Sequence, residues 1–168
     1  MNFAQFKANV IQWATDRNFF AENGATIEGQ IFKGASEFGE LCNNLGKGRD
    51  VRDDIGDNMV VAVVLSKMYG VELHQRFVKA ILPKDDPRNK RRIASNISYA
   101  WMVLMENDEH IYLTDIIYHC HELADYLGIP IEDCYEKAWN DIKDRKGRMI
   151  NGVFVKQSDL DKEFGDAV

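Results

Sequence analysis

The chain has 168 residues, 45% of them hydrophobic, with 21 Lys and Arg against 27 Asp and Glu, for a formal net charge of −6. That length suits a single domain with a packed core. The acidic balance argues against a general nucleic-acid binder, which needs broad phosphate neutralisation, so no nucleic-acid partner is expected. Cys42, Cys120 and Cys134 are odd in number and lack ligand-like spacing, and they read as reduced thiols of a cytoplasmic protein.

A first helix is expected from about Phe3 to Phe19, with Phe3, Phe6, Val10, Trp13 and Ala14 recurring at helical spacing. This start reads as an amphipathic helix rather than a secretory signal. Asn23-Gly24 breaks the chain. A second helix is expected from about Thr26 to Leu45, with Ile31, Phe38, Leu41, Cys42 and Leu45 as its apolar stripe and the glycines at 46 and 48 closing it. The third begins near Asp50, read as the N-cap with Asp53 at the third helical position, and stops at Gly70. Its apolar run, Met59 to Leu65, is far too short to span a bilayer, and no membrane association is expected.

Residues 71–82 suggest a short helix closed by Pro83, and the polar, charged stretch 84–92 reads as a connecting loop. An additional helical pair follows over 93–127, as segments 93–106 and 112–127. Gly128 fits a C-cap, and Pro130 opens a last helix running to about Lys146. Asn151-Gly152 between short apolar runs is a β-hairpin signal. Residues 157–168 look like a loosely held tail. The expected architecture is one all-α helical bundle over 1–156 with a short C-terminal β-hairpin.

Within this frame, Glu37 and Glu40 form one i,i+3 pair and Asp54 and Asp57 another. Each pair lies on one helix face, one turn apart. Most such pairs simply face solvent. Here Asp57 aligns with Val61, Val64 and Met68, and Glu37 aligns with Gly34 and Leu41, so both border the buried face. A short link makes the two helices antiparallel neighbours, able to present four carboxylates at one level. Hard divalent ions with oxygen ligands, Mg²⁺ above all, with Mn²⁺ as a substitute, are the natural neutralising partners. Gly34, Gly39 and Gly56 weaken their helices by roughly 1 kcal/mol each relative to Ala, which points to close approach of a backbone or ligand.

The stretch from Gln30 to Leu41 followed by Asp53 to Val61 resembles the MazG-like branch of the all-α nucleoside triphosphate pyrophosphohydrolases of phages and bacteria. Glu37 and Glu40 match the family's Glu-x-x-Glu, Asp57 matches the Asp of its Glu-x-x-Asp, and Lys33 matches a lysine common in the pattern. Two departures stand out. Asp54 occupies a place that usually holds Glu, so that Asp53 is an alternative ligand, and Ser36 stands where many relatives carry Glu. Residues 137–156 are similar to the family's C-terminal segment, and the two segments together cover about a third of the chain.

The resemblance implies Mg²⁺-dependent hydrolysis of a nucleoside triphosphate, NTP or dNTP, to the monophosphate and pyrophosphate by water attack at the α-phosphorus. Glu37, Glu40, Asp54 and Asp57 would hold the metal, and Glu37 or Glu40 would serve as general base. Phosphoryl chemistry is mostly positioning and electrostatics, so no Ser, Cys or His nucleophile is needed. Lys143 and Arg145, inside the resembling segment, are candidate phosphate contacts, followed by Lys33, which also stands i,i+4 to Glu37. Asn140 is a candidate hydrogen-bonding group for base, sugar or phosphate. Trp13 reads either as an aromatic wall for the base or as a core residue, and Trp101 and Trp139 as core or subunit interface.

His119 and His121 alternate, so on a helix they point apart and do not form a zinc site. The competing readings are another phosphoanhydride substrate, such as dUTP or a guanosine alarmone, and a helical scaffold that has lost activity. The first helix and the 93–127 pair carry more apolar surface than one bundle needs, so a homodimer or homotetramer is expected.

Overall fold

In a computed structural model of the chain, residues 1–74, 86 and 88–165 are described, with side chains to residue 161. The described part is an all-α bundle with a small C-terminal β-hairpin: α1 (Phe3–Asp16), α2 (Ile27–Gly46), α3 (Arg52–Tyr69), α4 (Asn89–Asn107), α5 (Tyr112–Leu127), α6 (Ile131–Ile142), β1 (Gly147–Ile150), β2 (Val153–Lys156) and α7 (Gln157–Gly165). None of its helices is long and apolar enough to cross a membrane.

The centre is α3. Every residue from Met59 to Ser66 is buried, so this helix is apolar all round, as a helix enclosed by others must be. It packs against α1, α2, α5 and α6, while α4 lies on α5 and α2. Two glycines set how closely the helices approach. A Cβ on Gly34 would stand 2.2 Å from the Trp101 indole, and one on Gly56 would stand 2.5 Å from Ala138 Cβ and 2.6 Å from the Cys134 carbonyl oxygen. A Cβ on Gly39 would meet nothing within 4 Å among the described residues, so none of these neighbours accounts for that glycine. Trp101 is a core residue, 1% exposed, and its indole N–H donates to Asn58 Oδ1 at 2.9 Å.

Several boundaries differ from the sequence reading for local reasons. α1 starts with a reciprocal cap between Asn2 and Gln5. It ends at Asp16 because Asn18 turns left-handed (φ 59°), which leaves Phe19 buried beyond the helix. Thr26 caps α2 through Gly29 N–H, at 3.1 Å. On α2 the buried line is Gln30, Ile31, Gly34, Glu37 and Leu41, and Cys42 is exposed rather than part of the stripe.

The N-cap of α3 is Val51, not Asp50. Asp50 instead accepts the Arg52 backbone N–H at 3.1 Å and the Arg52 guanidinium at 2.8 Å, one residue ahead of the cap. Residues 71–74 are not helical, while the remainder of the 71–82 helix, Pro83 and positions 84, 85 and 87 fall outside the described residues. Asn89 to Arg92, read from the sequence as part of a loop with the helix starting at 93, already form the first turn of α4. α6 stops at Ile142, four residues short of Lys146, because the chain turns there to enter β1.

The hairpin forms around Asn151 and Gly152, both left-handed (φ 50° and 79°), the pairing that a tight two-residue turn requires. Its tip docks on α2, where Thr26 N–H donates to the Gly152 carbonyl oxygen at 3.0 Å. In place of a loose tail, α7 follows the hairpin and buries Leu160.

Candidate functional site

The sharp contact between α3 and α6 at Gly56 positions the acidic groups. Asp53 and Asp57 flank Gly56 on the same helical face, at i−3 and i+1, so both approach α6 and its continuation. From α2, Glu37 enters the same region, 6% exposed and paired with Lys33 one turn earlier. The carboxyls feel one another. Burial, then Glu37, Asp53 and Asp141, push Asp57 up to about 8, against the pull of Arg145. Burial also raises Asp53, with Asp141 and Glu37 adding to it and Lys137 and Arg145 opposing. The Oδ1 atom of Asp53 is buried without a hydrogen-bond partner.

Asp54 faces differently. It is 7% exposed, and both of its carboxylate oxygens accept from Asn44 Nδ2, at 2.9 and 3.1 Å. Burial raises its pKa, which the Asn44 bond partly offsets. Glu40 is exposed, yet near enough to Asp54 to add to that rise.

A pocket of about 240 Å³ opens beside this cluster. Glu37 and Asp57 line it together with Lys33, Arg145 and Lys156, so both signs of charge meet there. Its apolar part is built from Val60, Val61 and Val64 of α3 and from an aromatic group. Within that group Trp13 stands 5.1 Å from Phe19 and 5.8 Å from Phe154, centroid to centroid. Trp13 therefore belongs to the core, at 6% exposed, and also walls the pocket.

Of the residues singled out from the sequence, Glu37, Asp57, Lys33, Arg145 and Trp13 share this pocket. Glu40, Asp54, Asn140 and Lys143 do not line it. Asn140 and Lys143 are exposed and bonded to each other, Nζ to Oδ1 at 2.8 Å. Arg145 pairs with Asp141. His119 and His121 point to separate partners, Glu122 and Tyr135.

Sequence reasoning missed four contributors. Gln30, buried in the pocket wall, lies seven residues before Glu37 on the same stripe, and that heptad interval was its signal. Phe154 and Lys156 reach the pocket only because the hairpin folds back onto α2, which no local pattern reveals. Arg17 lies over the Trp13 ring at 5.0 Å and donates to the carbonyl oxygens of Lys143 and Arg145 at 3.1 and 3.0 Å. It thereby fixes the turn that carries Arg145 into the pocket.

The fit to a divalent cation rests on donor chemistry. Carboxylate oxygens are the hard ligands that Mg²⁺ prefers, and the orphaned oxygen of Asp53 is a buried acceptor lacking a donor. Among the described residues no three His, Cys, Asp or Glu side chains stand close enough to cage a metal. Mg²⁺ does not require such a cage, since it commonly binds one or two carboxylates and completes its shell with water and substrate phosphate.

No protein-family model matches the chain, and no solved structure matches it. Over 70 residues, 40% of the chain, it is 39% identical to an uncharacterized 18.2 kDa protein from the rep-hol intergenic region of Haemophilus phage HP1. The match covers 42% of that phage protein, so the similarity spans less than half of either chain.

Proposed function

We propose that this protein is a Mg²⁺-dependent nucleoside triphosphate pyrophosphohydrolase of the MazG-like kind, releasing monophosphate and pyrophosphate. The observation that carries the reading is a single pocket lined by the acidic groups Glu37, Asp57 and Asp159, by the cations Lys33, Arg145 and Lys156, and by the indole of Trp13. A nucleoside triphosphate, with its flat base, its anionic phosphates and the cation they carry, needs those three chemistries side by side. The metal, held by Glu37 and Asp57 with Asp53 or Asp54 and Glu40 beside them, would supply charge neutralisation and an acidified water when bound.

The residues of this chain do the rest. Glu37, buried and lining the pocket, accepts the proton of the attacking water. Lys33 and Arg145 lie against the phosphates and oppose the charge that builds on the leaving pyrophosphate. The Val60–Val61–Val64 surface and the aromatic wall keep bulk water from the reacting end. The new P–O bond forms at the α-phosphorus, and the bond to the bridging α–β oxygen breaks.

A panel of NTPs and dNTPs assayed for pyrophosphate with Mg²⁺ tests this. At least one nucleotide should be turned over, and Glu37→Gln or Asp57→Asn should lower kcat about 100-fold or more with the fold intact. Unchanged turnover in both variants would remove the site from the reaction.

We also propose that the protein self-associates through α2 and α4. Phe32, Tyr99, Met102 and Met105 are 60%, 52%, 49% and 45% exposed, a density of large apolar side chains that a monomer seldom leaves in water.

A further inference from the structure

We infer that Gln30 is a specificity-determining residue, whose side-chain amide reads the edge of a flat heterocycle, a nucleobase, seated in the pocket beside Trp13. This deepens the proposed function and rests on it for the phosphate end of the ligand.

Gln30 opens the core-facing line of α2 that continues with Ile31, Gly34, Glu37 and Leu41, and only 4% of it is exposed. An apolar residue would be the stable choice there. Instead a primary amide lines the pocket, and no hydrogen bond joins it to another of the described residues. The amide opens onto the pocket, so a partner for it comes from whatever fills that space. A second polar group lies nearby. Trp13 lines the same pocket, is 6% exposed, and has its indole N–H buried with no acceptor. A pocket-lining amide and a buried indole N–H without an acceptor, set on an aromatic-walled pocket, mark the place of a planar ligand that bears hydrogen-bonding atoms on its rim.

The amide is suited to that task. It offers one acceptor and two donors, the complement of an adjacent donor–acceptor pair on a base edge. Its place on α2 also sets the scale. Gln30 lies seven residues, or about 10 Å along the helix, from Glu37. One ligand can therefore place its ring at Gln30 and its phosphates beside Glu37 and Lys33. A site that hydrogen-bonds a substrate group rejects analogues lacking it far more strongly than an apolar pocket does, because the site's own polar atoms are left unpaired.

The test compares wild type with Gln30→Leu and Gln30→Met, which fill similar volume without the amide. Two readouts are used: kcat/KM across a panel of nucleotides, and quenching of Trp13 fluorescence by free nucleosides without metal, with Trp13→Phe as the control. The inference predicts that both variants fold with Tm at or above that of wild type. It also predicts that the ratio of kcat/KM between the best and worst bases collapses at least tenfold, through KM. Nucleoside quenching should fall in parallel, while inhibition by inorganic tripolyphosphate, which has no base, stays unchanged. If no nucleotide is hydrolysed yet nucleosides quench in a Gln30-dependent way, the inference stands and the catalytic reading fails. An unaltered base ranking, an equal loss for tripolyphosphate and nucleotides, or no nucleoside binding by the wild type overturns it.

Discussion

Burial and the neighbouring carboxyls Glu37, Asp53 and Asp141 keep the Asp57 carboxyl protonated up to about pH 8. The consequence for stability has a definite sign. Below about pH 4 the group is protonated in both the folded and the unfolded chain and costs nothing. Between about pH 4 and 8 the unfolded chain ionises freely while the folded protein resists, so the native state loses stability as pH rises through that window. Asp57→Asn should therefore be more stable than wild type at pH 8 without divalent cations, by roughly 1–3 kcal/mol, with the gap closing toward pH 4. Urea melts at several pH values measure it, and a gap independent of pH would contradict this electrostatic picture. Adding Mg²⁺ should stabilise the wild type more than the variant.

At this scale Glu37 and Asp57 were legible, because each continues an apolar stripe where an unpaired carboxylate is conspicuous. The choice between Asp53 and Asp54 was not, since adjacent residues differ by about 100° around the helix and only packing decides which one turns toward α6 and which toward Asn44. Gln30 was hidden for the opposite reason. One amide on an otherwise apolar stripe looks like a local irregularity until a pocket is seen beside it.

Glycines separate two causes at the level of elements. Gly56 is fixed by the α3–α6 crossing, where a Cβ would meet Ala138 and Cys134 at 2.5 and 2.6 Å. Gly56→Ala should destabilise by about 1–3 kcal/mol or more, since backbone must move to admit the methyl group. Gly39 has open space around it, so Gly39→Ala should stabilise by roughly 0.5–1 kcal/mol through helix propensity alone. Thermal melts of the pair check both signs, and a destabilised Gly39→Ala would reveal a constraint on α2 that packing does not show.

The elements themselves were mostly readable. Periodicity located the helices flanking the acidic pairs, and Asn151-Gly152 located the hairpin, because such a turn needs two left-handed residues in succession. The end of α6 was misread for a physical reason. Lys143 to Lys146 carry good helix formers, but Arg17 holds the carbonyl oxygens of Lys143 and Arg145 in a turn, a tertiary contact 126 and 128 residues distant in sequence. The helix over 157–165 was missed because Leu160 gains a surface to bury against only once the hairpin is in place.

For the whole molecule, the apolar surplus expected on the first helix is absent, since Phe3, Phe6, Val10, Trp13 and Ala14 are all buried within the bundle. The surplus on α4 remains, beside Phe32 of α2, and a shallow groove lined by Ile31, Phe32, Leu104 and Met105 runs between the two helices. If that face is a subunit contact, light scattering should give a dimer or larger for wild type and a monomer for Met105→Glu. A monomeric wild type would contradict it. The bundle and hairpin were legible as architecture because hydrophobic period and turn chemistry are local. The pocket was not, because it gathers α1, α2, α3 and the C-terminal hairpin, segments spread across the full chain.

The central claim is that this pocket splits a nucleoside triphosphate between its α- and β-phosphates. Turnover in oxygen-labelled water with Mg²⁺, followed by mass analysis of the products, tests it most directly. The account predicts label in the monophosphate, none in the pyrophosphate, and loss of both products in Glu37→Gln. Release of orthophosphate, label in the pyrophosphate, or no turnover of any nucleotide would contradict it.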